Sequence, residues 1–367
     1  MADKETFLGA AIWKRFKKNK PGIFGLIIIS FAFIVAILGY IISPDNTPNA
    51  DLQAIEIQAK TPGYKQLFLK LYDSINTTTT LAEKLFEGTP NSFKYIPINS
   101  YAIKGNDLLV EKYIDDDTSI QQLYNINLIT NNKPNKLQEH FIVKKYWLGT
   151  DGFGRDILSR IIIGTRVSLS VGLIAVLIAV LVGVFLGAIA GYYRGWVDEV
   201  VMWLVNITWS IPTLLLVFAF TIAIGKGFWQ IFIAVGLTMW VSVARLVRGQ
   251  VMAIRNLEFI QAARIMGFSD IRIIIKHILP NILGPLMVIT ASIFASAIII
   301  EAGLSFLGIG VQPPQPSWGL MIKENYTFII TNKPMLALIP GIAIMLLVLA
   351  FNLLGNGLRD AMDVKSE

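Results

Sequence analysis

Cysteine is absent from this sequence, and histidine occurs only as His140 and His277. The first absence excludes disulfides and thiolate metal sites, and two histidines are too few for a histidine metal cluster. Charge is scarce as well: Asp, Glu, Lys and Arg make up 16% of the 367 residues, where a soluble domain carries about 25%. No G-x-x-x-x-G-K-[ST] phosphate loop occurs, since Gly225-Lys226-Gly227 lacks both the spacing and the hydroxyl. A G-x-S-x-G elbow is missing too, as are paired carboxylates inside the apolar runs. What remains is 54% hydrophobic with a mean hydropathy of +0.59, the composition of a membrane protein. Such a chain is expected to break no bonds itself and to carry no cofactor or metal. Whatever it moves uphill draws energy from a partner or from an ion gradient. The net charge of +7 sits at the ends of apolar segments, with no basic patch interleaved with stacking aromatics, so it reads as topology and not as nucleic-acid binding.

Taken in order, Lys14, Arg15, Lys17, Lys18 and Lys20 precede an apolar run over 22–42. That run is long enough to span, and no small-residue cleavage site follows, so residues 1–43 are expected to form a cytoplasmic N-terminus and an uncleaved first span. The competing use of the lysines is an interfacial helix around Phe7, Leu8, Ile12 and Phe16 lying on anionic lipid. From 44 to 145 the composition turns polar, at a length suited to a small external domain. Within it 80–87 reads as a short helix, and 93–104 with 107–113 as a hairpin around Gly105-Asn106. Asp115-Asp116-Asp117 lacks the spaced ligands and turn glycine of a calcium loop and reads as a solvated acidic turn.

Residues 146–367 hold five further apolar runs: 168–192, 200–224, 228–243, 281–309 and 334–354. Gly172, Gly183, Gly187 and Gly191 form a small-residue track on the first of these, and Pro212 interrupts the second. Six spans with both termini in the cytoplasm put Arg245, Arg248, Arg255, Arg264, Arg272 and Lys276 inside and the cation-poor loops outside, whereas five or seven would violate the positive-inside rule. The expected fold is therefore an all-α polytopic membrane protein with a small external α+β insert between its first two helices. Glu301 falls near the outer end of the fifth run and is expected to join a structural ion pair, for instance with Arg160 or Arg166. Asn206, Trp209 and Trp240 are membrane residues that could line a pathway, with interhelical packing the competing use of both tryptophans.

One stretch stands apart: LEFIQAARIMGFSDIRIIIKHILP, residues 257–280, carries charge between very apolar neighbours. Ile271, Ile274, Ile275 and Ile278 recur at helical spacing, Gly267 supplies a stop, Ser269 or Asp270 an N-cap, and Pro280 a boundary after Leu279. The pattern predicts helix, tight turn, helix. Ala262 and Ala263 allow a partner close approach, with Glu258, Arg264 and Asp270 for polar pairing. An amphipathic helix on the inner leaflet accounts for the same spacing.

This stretch resembles the EAA loop of permease subunits of ABC importers through Gln261, Ala262, Ala263, Gly267, Leu279 and Pro280, with Gln261 in place of the usual acid and His277 a variation resembling the peptide branch. YWLGTDGFGRDILSRIIIGTRVSLSVGL, EAGLSFLGIGVQPPQPSWG and FNLLGNGLRDAMD are similar to further blocks of that oligopeptide and dipeptide (nickel) importer family, in order. The resemblance implies a type I ABC importer permease fold in the inner membrane. It further implies a heterodimer with a second homologous permease subunit, two cytoplasmic ATPase subunits, an external substrate-binding protein, and a di- or oligopeptide substrate. Alternating access would be driven through a coupling loop over 246–280, in which Glu258, Gln261, Ala262, Ala263, Gly267, Asp270, Leu279 and Pro280 meet the ATPase. An ion-driven secondary carrier or channel is the alternative from another class. Two departures stand out: the family commonly has Arg and Asp where this chain has Trp203 and Asn206, and the insert is longer than the usual first external loop.

Overall fold

The computed structural model describes residues 12–72, 80–130, 134–225 and 227–363, so Phe7, Leu8 and Lys226 lie outside the described residues. In chain order the helices are α1 (Lys20–Ile42), α2 (Leu81–Phe86), α3 (Ile126–Ile129), α4 (Ile157–Tyr193), α5 (Gly195–Ser210), α6 (Thr213–Ile224), α7 (Phe228–Ile254), α8 (Glu258–Ile265), α9 (Asp270–Ile273), α10 (Leu279–Phe306), α11 (Trp318–Asn325) and α12 (Met335–Met362). The strands are β1 (Tyr64–Tyr72), β2 (Phe93–Lys104), β3 (Asp107–Tyr113), β4 (Ser119–Asn125) and β5 (Phe141–Tyr146). Two compact units result, one from the described residues of Met1–Phe33, Ser168–Gln312 and Ile342–Glu367, the other from Ile34–Val167 and Pro313–Gly341.

In the first unit, and in the long helices that enter it, length and apolarity dictate the architecture. Five helices are long and apolar enough to cross a membrane, and a sixth span results if the bent pair α5 and α6 is counted as one. The run over 200–224 is thus not one straight helix: α5 stops at Ser210 and α6 leaves at 97° to it. The cause is Pro212, which has no N–H to continue the ladder and pushes the residue before it, Ile211, out of the helical region to φ −98°, ψ 130°. The glycine track of α4 serves close packing. A Cβ at Gly183, Gly187 or Gly191 would come within 2.7 Å, 2.5 Å and 2.7 Å of the carbonyl oxygens of Trp240, Ala244 and Arg248 on α7. Only a missing side chain lets the two backbones approach this closely.

The second unit is built on a five-stranded antiparallel sheet in the order β4-β3-β2-β1-β5. Gly105, at φ 63°, makes the two-residue turn between β2 and β3 that a β-carbon would strain. Alternation along the strands sends Leu69, Ile98, Leu108 and Val110 inward, where they are fully buried with Ile126, Ile129 and Leu137. Thr80 and Glu83 form a reciprocal capping box that starts α2. The same unit holds a buried ionic cluster. Arg155 donates to Asp151 at 2.7 Å, to Glu324 at 2.6 Å and to Asp51 at 3.2 Å, and Arg160 donates to Glu324 at 3.1 Å. It ties the chain before β1, the entry to α4 and α11 together by charge-assisted bonds.

Three outcomes follow for purified protein in detergent. Gly187→Val drives a side chain into the Ala244 carbonyl and is expected to cost about 1–3 kcal/mol. Gly249→Val, at a glycine with open space around it, should leave the melting temperature within a degree or two of wild type by the usual surface tolerance. Glu324→Gln removes one partner from two buried guanidiniums and should lower stability by about 3 kcal/mol, read as an earlier thermal transition at neutral pH.

Candidate functional site

The stretch over 257–280 folds as two short helices around a turn set by backbone geometry. α8 ends in a left-handed Gly267 at φ 79°, with Gly267 N–H bonded to the Arg264 carbonyl at 2.9 Å and Phe268 N–H to the Ala263 carbonyl at 3.1 Å. That hydrogen-bond pair is a Schellman motif, and it requires the positive φ. A Cβ at Gly267 would meet nothing within 4 Å, so the demand for glycine here is conformational and not steric. Ser269 occupies the N-cap position of α9 through its backbone, with Ile273 N–H bonded to its carbonyl at 3.0 Å, and its side chain makes no cap.

Beyond α9 the chain makes one π-turn, Ile274–Ile278, and continues into α10 without a break, so Asp270–Phe306 is a single helical run of 37 residues. Pro280 is therefore not a boundary. It sits in the first turn of α10, where its lack of an N–H is tolerated, and the neighbouring Asn281 side chain donates to the His277 carbonyl at 2.6 Å. The wide turn also redistributes the isoleucines. Ile273 and Ile278 are fully buried while Ile271 and Ile275 are exposed, so the expected stripe of Ile271, Ile274, Ile275 and Ile278 does not share one face. A π-turn places residues five apart on one side, and the 3.6-residue period no longer applies there.

Tyr192, at the end of α4, anchors the turn. Its hydroxyl donates to the Asp270 carboxylate at 2.6 Å, and the guanidiniums of Arg264 and Arg255 lie 5.0 Å and 5.7 Å from its ring centroid. Phe268 is stacked on His277 at 5.8 Å with Arg272 4.2 Å from its ring. Burial, then the neighbouring cations Arg264 and Arg194, hold the Arg255 guanidinium below its ordinary range. The result is a basic surface around one tyrosine, pinned by one carboxylate. Sequence reasoning missed Tyr192, because nothing in its apolar surroundings marks it. The exposed apolar rim was missed as well: Ile265, Met266 and Ile271 are 87%, 64% and 67% exposed on either side of Gly267. Contiguous apolar exposure of this kind is a feature of protein–protein and of membrane contact surfaces alike.

The other sequence-predicted residues sort as follows. Glu258, Gln261 and Ala262 are exposed on α8, and Gln261 donates to the Asn256 carbonyl at 3.1 Å. Ala263 is turned inward with Ile260 and is buried, so only Ala262 of the alanine pair is open to a partner. Trp240 is also buried, packed with Val201, Val205 and Ala244, and so is a packing residue and not a lining one. Asn206 and Trp209 are exposed on α5 and come together at Arg245. Glu301 is buried and accepts from Ser305 Oγ at 2.7 Å, whose oxygen in turn accepts Val311 N–H at 3.0 Å, fastening the turn after α10. Arg160 is engaged by Glu324, and Arg166 donates to the Leu85 and Phe86 carbonyls.

In the second unit a cleft of about 1110 Å³ is lined by paired charges, Lys60 with Asp116 at 2.5 Å and Lys112 with Glu56 at 3.1 Å. Asp116 also accepts from the Tyr113 hydroxyl at 2.7 Å, and these two contacts hold its carboxyl below the usual range. Burial pushes the Tyr113 and Tyr64 hydroxyls up to about 12. The middle member of the acidic turn is therefore committed to Lys60 and Tyr113, and Asp115 and Asp117 are exposed.

Residues 183–365 match the family described as binding-protein-dependent transport system inner membrane component, and residues 8–58 match the N-terminal TM domain of oligopeptide transport permease C. Residues 59–182 lie in neither match. The glutathione transport system permease protein GsiD of Pectobacterium atrosepticum is 43% identical over 220 residues, covering 60% of this chain and 73% of the relative. The dipeptide transport system permease protein DppC of Alkalihalophilus pseudofirmus is 40% identical over 274 residues, covering 75% of this chain and 89% of the relative. Among solved structures, a chain of the inward-facing MetNI methionine ABC transporter aligns with a TM-score of 0.46 and 20% identity over 56% of this chain and 97% of that one. With relatives this similar over most of their length, and with at least five membrane-length helices, the chain belongs to the binding-protein-dependent transport system inner membrane components, the permeases of ABC importers.

Proposed function

We propose that this chain is one of two homologous permease subunits of an ATP-driven importer of di- or oligopeptides, and that it is worked by two cytoplasmic ATPase subunits bound to the loop over 246–280. The observation that carries the reading is the exposed rim of Ile265, Met266 and Ile271 around a conformationally fixed Gly267. Apolar side chains held in water on a rigid turn are an unfilled contact. Glu258, Gln261 and Ala262 are the polar and small residues of the same face, and Asp270 sets its angle through Tyr192. Leu279 and Pro280 carry the motion into α10. The relatives named for glutathione and dipeptide transport support a peptide substrate.

Positive charge supports an orientation with the N- and C-termini and this loop in the cytoplasm and the sheet-bearing insert outside, where a substrate-binding protein delivers peptide. ATP hydrolysis belongs to the partner subunits, and this chain performs alternating access. Closure of the ATPases pushes α8, the unbroken helix from Asp270 to Phe306 moves with it, and the surrounding spans reorient. An ion-driven carrier needs a titratable group in reach of the pathway, and Glu301 is buried and bonded to Ser305.

Gly267→Asn keeps access to the left-handed region at small cost, while a β-branched residue does not. In proteoliposomes holding the complete importer, Gly267→Asn is expected to retain about half or more of ATP-driven peptide uptake, and Gly267→Val to lose at least about tenfold, the latter being roughly 1–2 kcal/mol of backbone strain placed at the contact. Both should reach the membrane at wild-type levels. Wild-type uptake by Gly267→Val, or uptake by this chain alone without ATPases, would contradict the reading.

A further inference from the structure

Two charged side chains lie on α7, and the structure treats them differently. Arg248 is neutralised by Asp198, whose two carboxylate oxygens accept its Nε and Nη2 at 2.5 Å and 2.6 Å. Arg245, one turn earlier, makes no ion pair among the described residues. Its Nη2 donates to the neutral Asn206 amide oxygen at 3.0 Å, its guanidinium lies 3.6 Å from the Trp209 ring centroid, and its Nε is buried with no hydrogen-bond partner. Arg245 is nine residues, or about 14 Å, from the end of the 27-residue α7, so it lies within a helix long and apolar enough to cross a membrane and not in the loop that follows it, where charge counting alone puts it. An unpaired charge at that depth is costly and is kept for use.

The surroundings say what use. Trp209 and Asn206 are exposed on the last turns of α5, immediately before the break at Pro212 where α6 turns away by 97°. Broken helices inside membranes persist where they are covered by protein or border a cavity, and not in lipid. A guanidinium laid on an indole face and tethered through one N–H is held flat, with the Nη1 edge uncommitted, the arrangement that receives a carboxylate by a two-pronged contact. Residue 206 is Asn, so α5 supplies no carboxylate at this position. We propose that Arg245, positioned by Trp209 and Asn206, is an anion contact of the translocation pathway that receives the carboxylate of the transported peptide. This rests on the peptide-importer reading above. A carboxylate from the second permease subunit is the competing occupant.

The test uses the complete importer in proteoliposomes, with purified binding protein saturated by either tri-alanine or its C-terminal amide. Arg245→Gln is expected to lower tri-alanine uptake by about tenfold or more, the worth of a hydrogen bond to a charged group, and to leave uptake of the amide within about twofold. Asn206→Asp should impose the same selective loss by filling the guanidinium from within the chain, and it keeps the proposal testable if Arg245→Gln fails to fold. Equal loss of both probes in Arg245→Gln, with Asn206→Asp behaving as wild type, assigns the arginine to the partner subunit or to structure and overturns the proposal. Wild-type uptake of neither probe overturns the peptide-importer reading and this proposal with it, whereas wild-type uptake without the selective loss overturns this proposal alone.

Discussion

The bond from the Tyr192 hydroxyl to the Asp270 carboxylate fixes the start of a helix that then runs without interruption to Phe306. Everything proposed about coupling depends on those two facts together. A loop joined to its span through a flexible break would absorb a push locally, and one joined through continuous helix passes it on. The π-turn at Ile274–Ile278 is what permits continuity past Pro280, since it widens the ladder where the proline has no N–H to offer. The Schellman turn at Gly267 does the corresponding work on the other side, by holding α8 at a defined angle to α9. Close packing of α4 on α7 through three glycines places Tyr192, which lies on α4, within reach of the loop that follows α7.

Charge is managed differently in the two units. In the sheet-bearing unit two arginines are ion-paired with three carboxylates, and the cluster ties together segments far apart in sequence. Such a cluster favours one arrangement of its loops more than it adds stability, because desolvation offsets most of the attraction. In the helical unit one arginine of α7 is matched by Asp198 and the next is left against an amide and an indole. Arg248 and Arg245, three residues apart on one helix, differ in that a carboxylate meets the first and none among the described residues meets the second.

Much of this was legible in the sequence where local backbone chemistry decides. Gly267 reads as a stop because a left-handed residue is needed there, and Gly105-Asn106 reads as a hairpin turn for the same reason. The glycines of α4 could be seen as a packing track from their spacing alone. What failed did so for tertiary reasons. A single π-turn moved the isoleucine stripe out of register, which no 3.6-residue count anticipates. Ala263 and Trp240 turned inward because neighbouring helices cover them, and an alanine or tryptophan in a helix carries no mark of which side faces a partner. Arg160 and Arg166 found acceptors in α11 and at the end of α2, segments that lie more than seventy residues away in sequence. β4 and β5 went unread because SIQQLYN and FIVKKY lack the strict apolar–polar alternation that marks a strand.

The absence of cysteine gives a direct test of the central claim that the outward face of α8 is held against an ATPase and moves with it. A single cysteine at Ala262, paired with single cysteines along the cleft of the ATPase in the assembled importer, reports contact by disulfide formation against a background free of other thiols in this chain. The account expects a cross-link from Ala262→Cys that changes in yield between nucleotide-free and ATP-bound complexes. No cross-link, at any ATPase position and in either state, in an importer that still transports would contradict it.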